Sequence, residues 1–255
     1  MTSIVKKICL FLARITASGI IVVGERVYDY YIKGTCLKNK PIVEIHPPVD
    51  TVVFNSHSVK PYKYPEKYKG MKIVTVSGIN PTKGLEYFIE MASELVKKHH
   101  DLLFLIAAPH FKSQDSYFKH LMKIIESSNL TNDNIKFLGM IDDVPGFLKS
   151  ADIFVFTSIS ESGPMAVWEA MAMSKPIVTT NVGSISKYIV NEESGFIVPI
   201  KNSMALSEKV DLLINDKALR EKMSAKVRSI VTKKLDVSIA AKKYANFYRK
   251  ILSIK

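Results

Sequence analysis

Cysteine is nearly absent from this chain. Its two copies, Cys9 and Cys36, cannot build a disulfide framework and match no metal-ligand spacing, which fits a reducing compartment. Long apolar runs are missing as well. Lys6-Lys7 followed by Ile8-Cys9-Leu10-Phe11-Leu12-Ala13 has the look of a signal sequence, but Arg14 interrupts it. The whole stretch 4–24 is too broken for a membrane span, and a helix followed by a short buried strand is the better reading. There is no internal repeat and no low-complexity tract. The six histidines are scattered and form no zinc motif. No Asp-x-Asp pair ends a strand; Asp142 and Asp143 are adjacent and read as the start of a helix over 144–149. No divalent metal is therefore expected.

Acid is the other scarcity. Against 36 Lys and Arg stand 24 Asp and Glu, a formal charge of +12 in 255 residues. Nucleic acid, an anionic membrane surface or an acidic nucleotide ligand would each suit that excess, and lysines solvating helix faces account for much of it. No RNA-binding signature and no basic stretch interleaved with aromatics is present, which argues against nucleic acid.

What is present is a regular alternation. Strand-like runs fall at 72–77, 102–107, 135–138, 153–156, 176–179 and 195–198. Helical patterns lie between them, at 83–98, 114–127 and 165–173, and fill the tail at 204–214, 217–232 and 237–252. Such an order predicts an α/β fold, a Rossmann-like parallel sheet with helices on both faces. Upstream, a helix over 5–17, a strand over 19–23, a helix over 25–32 and a strand over 41–45 precede an aperiodic stretch, 46–68, rich in Pro, Tyr and Lys. That stretch reads as a linker.

The segment Thr157-Ser-Ile-Ser-Glu161-Ser-Gly-Pro-Met-Ala-Val-Trp-Glu169-Ala-Met-Ala carries the chemistry. It follows the apolar run 152–156 and opens a helix with Pro164 read at its first position, where a missing N–H costs nothing. Free N–H groups and the positive end of the helix dipole there suit a phosphate or diphosphate. Glu161 stands before the helix and Glu169 inside it, so a carboxylate flanks each side of the anion position. Sugar and ribose hydroxyls suit those carboxylates; the plainer alternative is a capping acid and a solvated helix position. Lys83, in a loop with Gly78 and Pro81, is placed either to offset charge on a leaving diphosphate or merely to open a helix. The order Lys83-Gly84 is neither a P-loop nor a GxGxxG fingerprint. Trp168 and the set Met165, Met171 and Met173 read as core rather than a binding stripe.

These residues resemble the donor site of retaining GT-B glycosyltransferases of family 4. Glu161-x7-Glu169 with Glu-Ala-Met-Ala behind it is similar to that family's signature. Ile73-Val-Thr-Val-Ser-Gly78 through Lys83-Gly84, Phe137-Leu-Gly139, Asp143-Val-Pro145 and Gly195-Phe-Ile-Val-Pro199 follow in the family's order. The resemblance runs over about 73–252. It implies that Glu161 contacts the donor sugar, Glu169 the ribose, and Lys83 the diphosphate, with Glu161 and Lys83 in catalytic roles. It further implies backbone contacts from Gly78, Ser162, Gly163, Met165 and Ala166, while Gly139 and Met140, at the carboxyl end of the third strand where such crevices occur, read as the base site. The co-substrate is a nucleotide-diphosphate sugar, without metal. Residues 1–62 resemble the end of the family's acceptor domain and interdomain linker, 63–236 the donor-binding domain, and 237–255 a closing helix. The expectation is a donor half that works with a separate acceptor-domain chain, in the cytoplasm and in peripheral contact with the inner membrane surface. Three departures stand out. Gly78 occupies the place of an arginine that shares the diphosphate, Ala107-Ala-Pro-His110 replaces a glycine-rich stretch, and Ser174-Lys175 replaces a small-residue turn. With Gly78 in that place, a non-catalytic nucleotide-sugar-binding module or a degenerate fragment that has lost turnover is the alternative.

Overall fold

The computed structural model describes residues 3–64 and 70–253. Six parallel strands make the main sheet: β3 (Met71–Val76), β4 (Leu102–Ala107), β5 (Ile135–Gly139), β6 (Ile153–Phe156), β7 (Ile177–Thr180) and β8 (Phe196–Val198). They follow a smaller N-terminal pair, β1 (Ile20–Val22) and β2 (Ile42–Glu44), also parallel. The spatial order of the main sheet is β5-β4-β3-β6-β7-β8. The chain runs outward one way from β3, then returns to place β6 on its other side. Carboxyl ends of β3 and β6 therefore diverge into a crevice, the usual ligand position in such sheets.

The strands read as continuous apolar runs because both faces are covered. Successive residues feed opposite layers. Ile73, Phe104, Ile106 and Val155 enter one core, while Val74, Leu105, Phe154 and Phe156 enter the other. Helices α3 (Leu85–Leu95), α4 (Asp115–Glu126) and α8 (Ser203–Asn215) close the first layer with Phe88, Leu121 and Leu206. Helices α5 (Val144–Lys149), α6 (Met165–Ala172), α7 (Ile185–Tyr188) and α9 (Lys217–Lys234) close the second with Phe147, Trp168, Ile185 and Val227. Each such fully buried side chain contributes roughly 1.5–3 kcal/mol. Asp143 caps α5 by accepting from Gly146 N at 2.8 Å, and Asn202 caps α8 from Ala205 N at 2.9 Å.

The N-terminal unit, α1 (Ser3–Thr16), β1, α2 (Glu25–Tyr31) and β2, has a small core of Val22, Ile32 and Leu37. The last helix, α10 (Val237–Leu252), returns to this unit, with Phe247 and Ile251 against Gly19. The outer face of α1 leaves Val5, Ile8, Phe11, Leu12 and Ile15 exposed. Among the described residues no helix is long and apolar enough to cross a membrane.

The aperiodic stretch after β2 is packed where it is described, its last residues, 65–68, lying outside the described ones. Val49 N donates to Leu235 O at 2.9 Å, Val237 N donates to Val49 O at 3.1 Å, and Phe54, Val59, Tyr62 and Tyr64 lean on the second core. Its aromatics, the composition that reads as irregular, supply that packing. Two elements have no clear period in the sequence: α7, only four residues long, and a 3₁₀ turn at Cys36–Asn39.

Candidate functional site

Two loops meet at the crevice. The first leaves β3, turns through a 3₁₀ turn at Pro81–Lys83, and enters α3 through Gly84. Asn80 starts that turn, its side-chain oxygen accepting from Thr82 N at 2.9 Å. Gly84 has φ 60, a left-handed conformation that a Cβ would penalise, and so α3 begins two residues later than its apolar period predicts. The second loop leaves β6. Thr157, itself buried, donates through Oγ1 to Lys83 O at 3.0 Å, and Ile159 N donates to Thr82 O at 2.8 Å. Those two bonds stitch the loops together and set Lys83 beside Glu161.

Lys83 Nζ forms a short ion pair with Glu161 Oε1, and Ser158 Oγ lies 3.4 Å from the same oxygen. The two side chains are 29% and 15% exposed, so the pair borders the crevice. The open space beyond it is about 330 Å³. Its walls include Ser77, Gly78, Lys83, Phe156, Glu161, Gly163, Pro164, Met165, Ala166 and Glu169. Seven of the ten residues named from the sequence thus converge on one cleft: Gly78, Lys83, Glu161, Gly163, Met165, Ala166 and Glu169.

The start of α6 differs in detail from the sequence reading. Pro164 is the residue before the first helical turn, not its first member, and its carbonyl accepts from Val167 N at 3.0 Å. Met165 N donates back to Gly163 O at 2.9 Å. Among the described residues the N–H groups of Gly163 and Ala166 have no backbone acceptor, while Met165 lines the cleft. One turn on, Glu169 has no ion pair or hydrogen bond among the described residues. Burial raises its pKa above the ordinary carboxylate value. Trp168, Met171 and Met173 are fully buried, as the sequence indicates, but Met165, read with them as core, is 38% exposed because it starts α6 at the mouth of the cleft.

Three named residues lie elsewhere. Ser162 faces a neighbouring cavity of about 580 Å³ with Ser160 and, from α2, Val27, Asp29, Tyr30 and Tyr31. Gly139 ends β5, and the adjacent Met140 is 75% exposed. Both share the carboxyl rim of the sheet with the cleft but stand two strands from β3, outside its walls. Conversely, Val76, Ser77 and Phe156 line the cleft without having been singled out. Their place at the carboxyl ends of the first and fourth strands of the sheet was the signal available.

Each departure from the family pattern has a local account. A Cβ built on Gly78 meets nothing within 4 Å, so the position has room for a side chain. His110 pairs with Asp115 at 2.9 Å and stacks on Phe118. Lys175 Nζ donates to the carbonyls of Lys149 and Ala151 at 2.8 and 2.7 Å, capping the end of α5; burial lowers its pKa to about 8. Ser174 takes the left-handed turn beside it, φ 59.

Comparison with known proteins agrees with this fold. The family model described as glycosyl transferases group 1 matches residues 59–230. An alpha-D-kanosaminyltransferase of Streptomyces kanamyceticus is 28% identical over 181 residues, 70% of this chain and 45% of that protein. The crystallised C-terminal domain of a Francisella tularensis group 1 glycosyl transferase, LpcC, is 29% identical with a TM-score of 0.64, covering 74% of this chain and 99% of that domain. Anabaena HepE, crystallised with UDP and glucose, superposes with a TM-score of 0.85 at 18% identity, over 98% of this chain and 68% of HepE. The chain spans about half the length of the curated relatives it matches. With the fold, the cleft at its switch point and the family match taken together, the chain belongs to the group 1 glycosyl transferases of GT-B type.

Proposed function

We propose that this chain binds a nucleotide-diphosphate sugar and supplies the donor half of a retaining glycosyl transfer of the family 4 kind. The observation that carries the reading is the convergence of one cation, two carboxylates and two backbone N–H groups on a single cleft where β3 and β6 part. In this reading Glu169 accepts from the ribose hydroxyls and Glu161 from the sugar. Lys83, with the N–H groups of Gly163 and Ala166, receives the diphosphate. Charge that builds on the leaving diphosphate is offset by the Lys83 ammonium and the dipole of α6, so no metal is needed. Lys83 must exchange Glu161 for phosphate as the donor enters, which frees the carboxylate for the sugar.

Acceptor choice is assigned to an acceptor domain, residues 1–62 being the junction to it and 63–236 the donor domain. The basic excess and the exposed apolar stripe of α1 support a cytoplasmic place in peripheral contact with the membrane surface. Gly78 favours a second reading, a nucleotide-sugar-binding module without turnover, because a cation expected beside the diphosphate is missing.

Calorimetric titration with nucleoside diphosphates and their sugars, in chelator, tests the donor site. UDP goes first because HepE was crystallised with it. Saturable binding weakened by Glu169→Ala is the expected result. Absence of binding at millimolar ligand would sink the proposal. A purified complex with an acceptor-domain chain that turns over the donor, against one that binds without turnover, separates the two readings.

A further inference from the structure

The loop 161–163 touches more than the main sheet. A Cβ on Gly163 would lie 2.6 Å from Pro47 Cγ and 2.9 Å from its Cδ. A Cβ on Gly24, just after β1, would lie 2.9 Å from Ser162 O. On the opposite flank a Cβ on Gly183 would lie 3.0 Å from the same oxygen and 3.2 Å from Glu161 O. The loop is therefore wedged between the N-terminal unit on one side and the turn after β7 on the other, and glycine is what allows each approach.

Pro47 is itself held. Its neighbour His46 is 8% exposed; Nδ1 makes a short hydrogen bond with Tyr188 Oη, and Nε2 meets Glu44 Oε1 at 3.0 Å. Glu44 also accepts from Lys187 Nζ at 2.9 and 2.8 Å. Tyr188 stands edge-on to Trp168 at 5.1 Å, the residue before Glu169. One latch thus joins β2 to α7 and to the helix that carries the second carboxylate, and the donor chemistry above uses none of its members.

We propose that the N-terminal unit completes the donor site: Gly24 and Pro47 press the 161–163 loop into its binding conformation. His46 is the positioning residue that seats Pro47, acting through Tyr188 and Glu44. A loop ordered on folding need not be ordered again when ligand arrives, which strengthens binding without any new contact to the ligand. The ligand in this inference rests on the donor-site reading; the clamp itself does not.

The test uses the full chain, UDP titration and amide hydrogen exchange over 158–166. Pro47→Ala removes the ring over Gly163, and Tyr188→Phe removes the hydroxyl while keeping the packing on Trp168. Both are expected to speed exchange in 158–166 and to weaken UDP binding about tenfold, the scale of ordering one or two side chains on binding. His46→Gln, which keeps a hydrogen-bonding side chain, should recover more affinity than His46→Ala. Local exchange that rises while the other sheet amides stay protected supports the clamp. Unchanged exchange in 158–166 overturns it, as does a rise spread over the whole sheet. Failure of the wild-type chain to bind UDP removes the donor reading, and the exchange result then decides the clamp by itself.

Discussion

The two ends of the cleft hold the same functional group in opposite states. At one end Glu161 is paired, its charge met by Lys83 and its position fixed by the stitched loops. At the other Glu169 is desolvated on α6, with no donor to it among the described residues, and its pKa is raised. A paired carboxylate adds to the stability of the empty chain and must change partner when ligand comes. An unpartnered one lowers that stability and gains only when ligand comes. The difference separates a switchable end from a waiting end, and it is the waiting end that marks a ligand most directly.

Removing the cation breaks the contrast most severely. Lys83→Ala should weaken UDP binding by roughly tenfold to a hundredfold, the scale of a lost charge-assisted contact at about 1.5–3 kcal/mol. It also strands Glu161, so melting temperature should fall in the same variant. Next is Glu169→Ala, expected to weaken UDP binding about tenfold by the same scale while leaving UDP-independent stability intact or improved. Unchanged affinity there would mean that the unpartnered carboxylate faces no ribose.

Glu169→Gln sharpens the comparison through pH. The folded pKa of Glu169 lies above its unfolded value near 4.5. Its contribution to stability is therefore full below that value and lost as pH rises through the raised one. At neutral pH the wild-type chain carries the penalty and the glutamine variant does not. Thermal melts from pH 4 to pH 8 should show the variant gaining on the wild type as pH rises; parallel curves would contradict a desolvated carboxylate.

Smaller effects come from the wall. Gly78→Arg places a second cation where open space exists, and should tighten UDP binding by about fivefold, roughly 1 kcal/mol. A weaker or equal affinity would show that the side chain turns to solvent. The smallest expected effect is none: EDTA should leave UDP affinity unchanged, and a loss restored by magnesium would overturn the metal-free reading.

Much of this was legible before any coordinates. Continuous apolar runs alternating with 3.6-residue periods announce a doubly covered parallel sheet, and strand and helix positions agree to within three residues along its length. The pairing of Lys83 with Glu161 was not legible, because it depends on hydrogen bonds from Thr157 and Ile159 between loops more than 70 residues apart. Nor was the loss of Met165 N–H to a local turn, a matter of backbone angles rather than residue type. The base site near Gly139 and Met140 was inferred from strand ends alone. Strand order, which sets β5 two places from β3, has no local trace.

Sequence by itself determined the fold class, through period, and the family, through an ordered series of motifs that resembles it, because residue type and spacing are local properties. Only the tertiary structure decided which of them meet. It brought β6 beside β3, tied one carboxylate to a lysine and left the other bare, and set Pro47 of the N-terminal unit against the loop between them. Those outcomes follow from burial and from backbone hydrogen bonds between distant segments, and no window of sequence contains both partners.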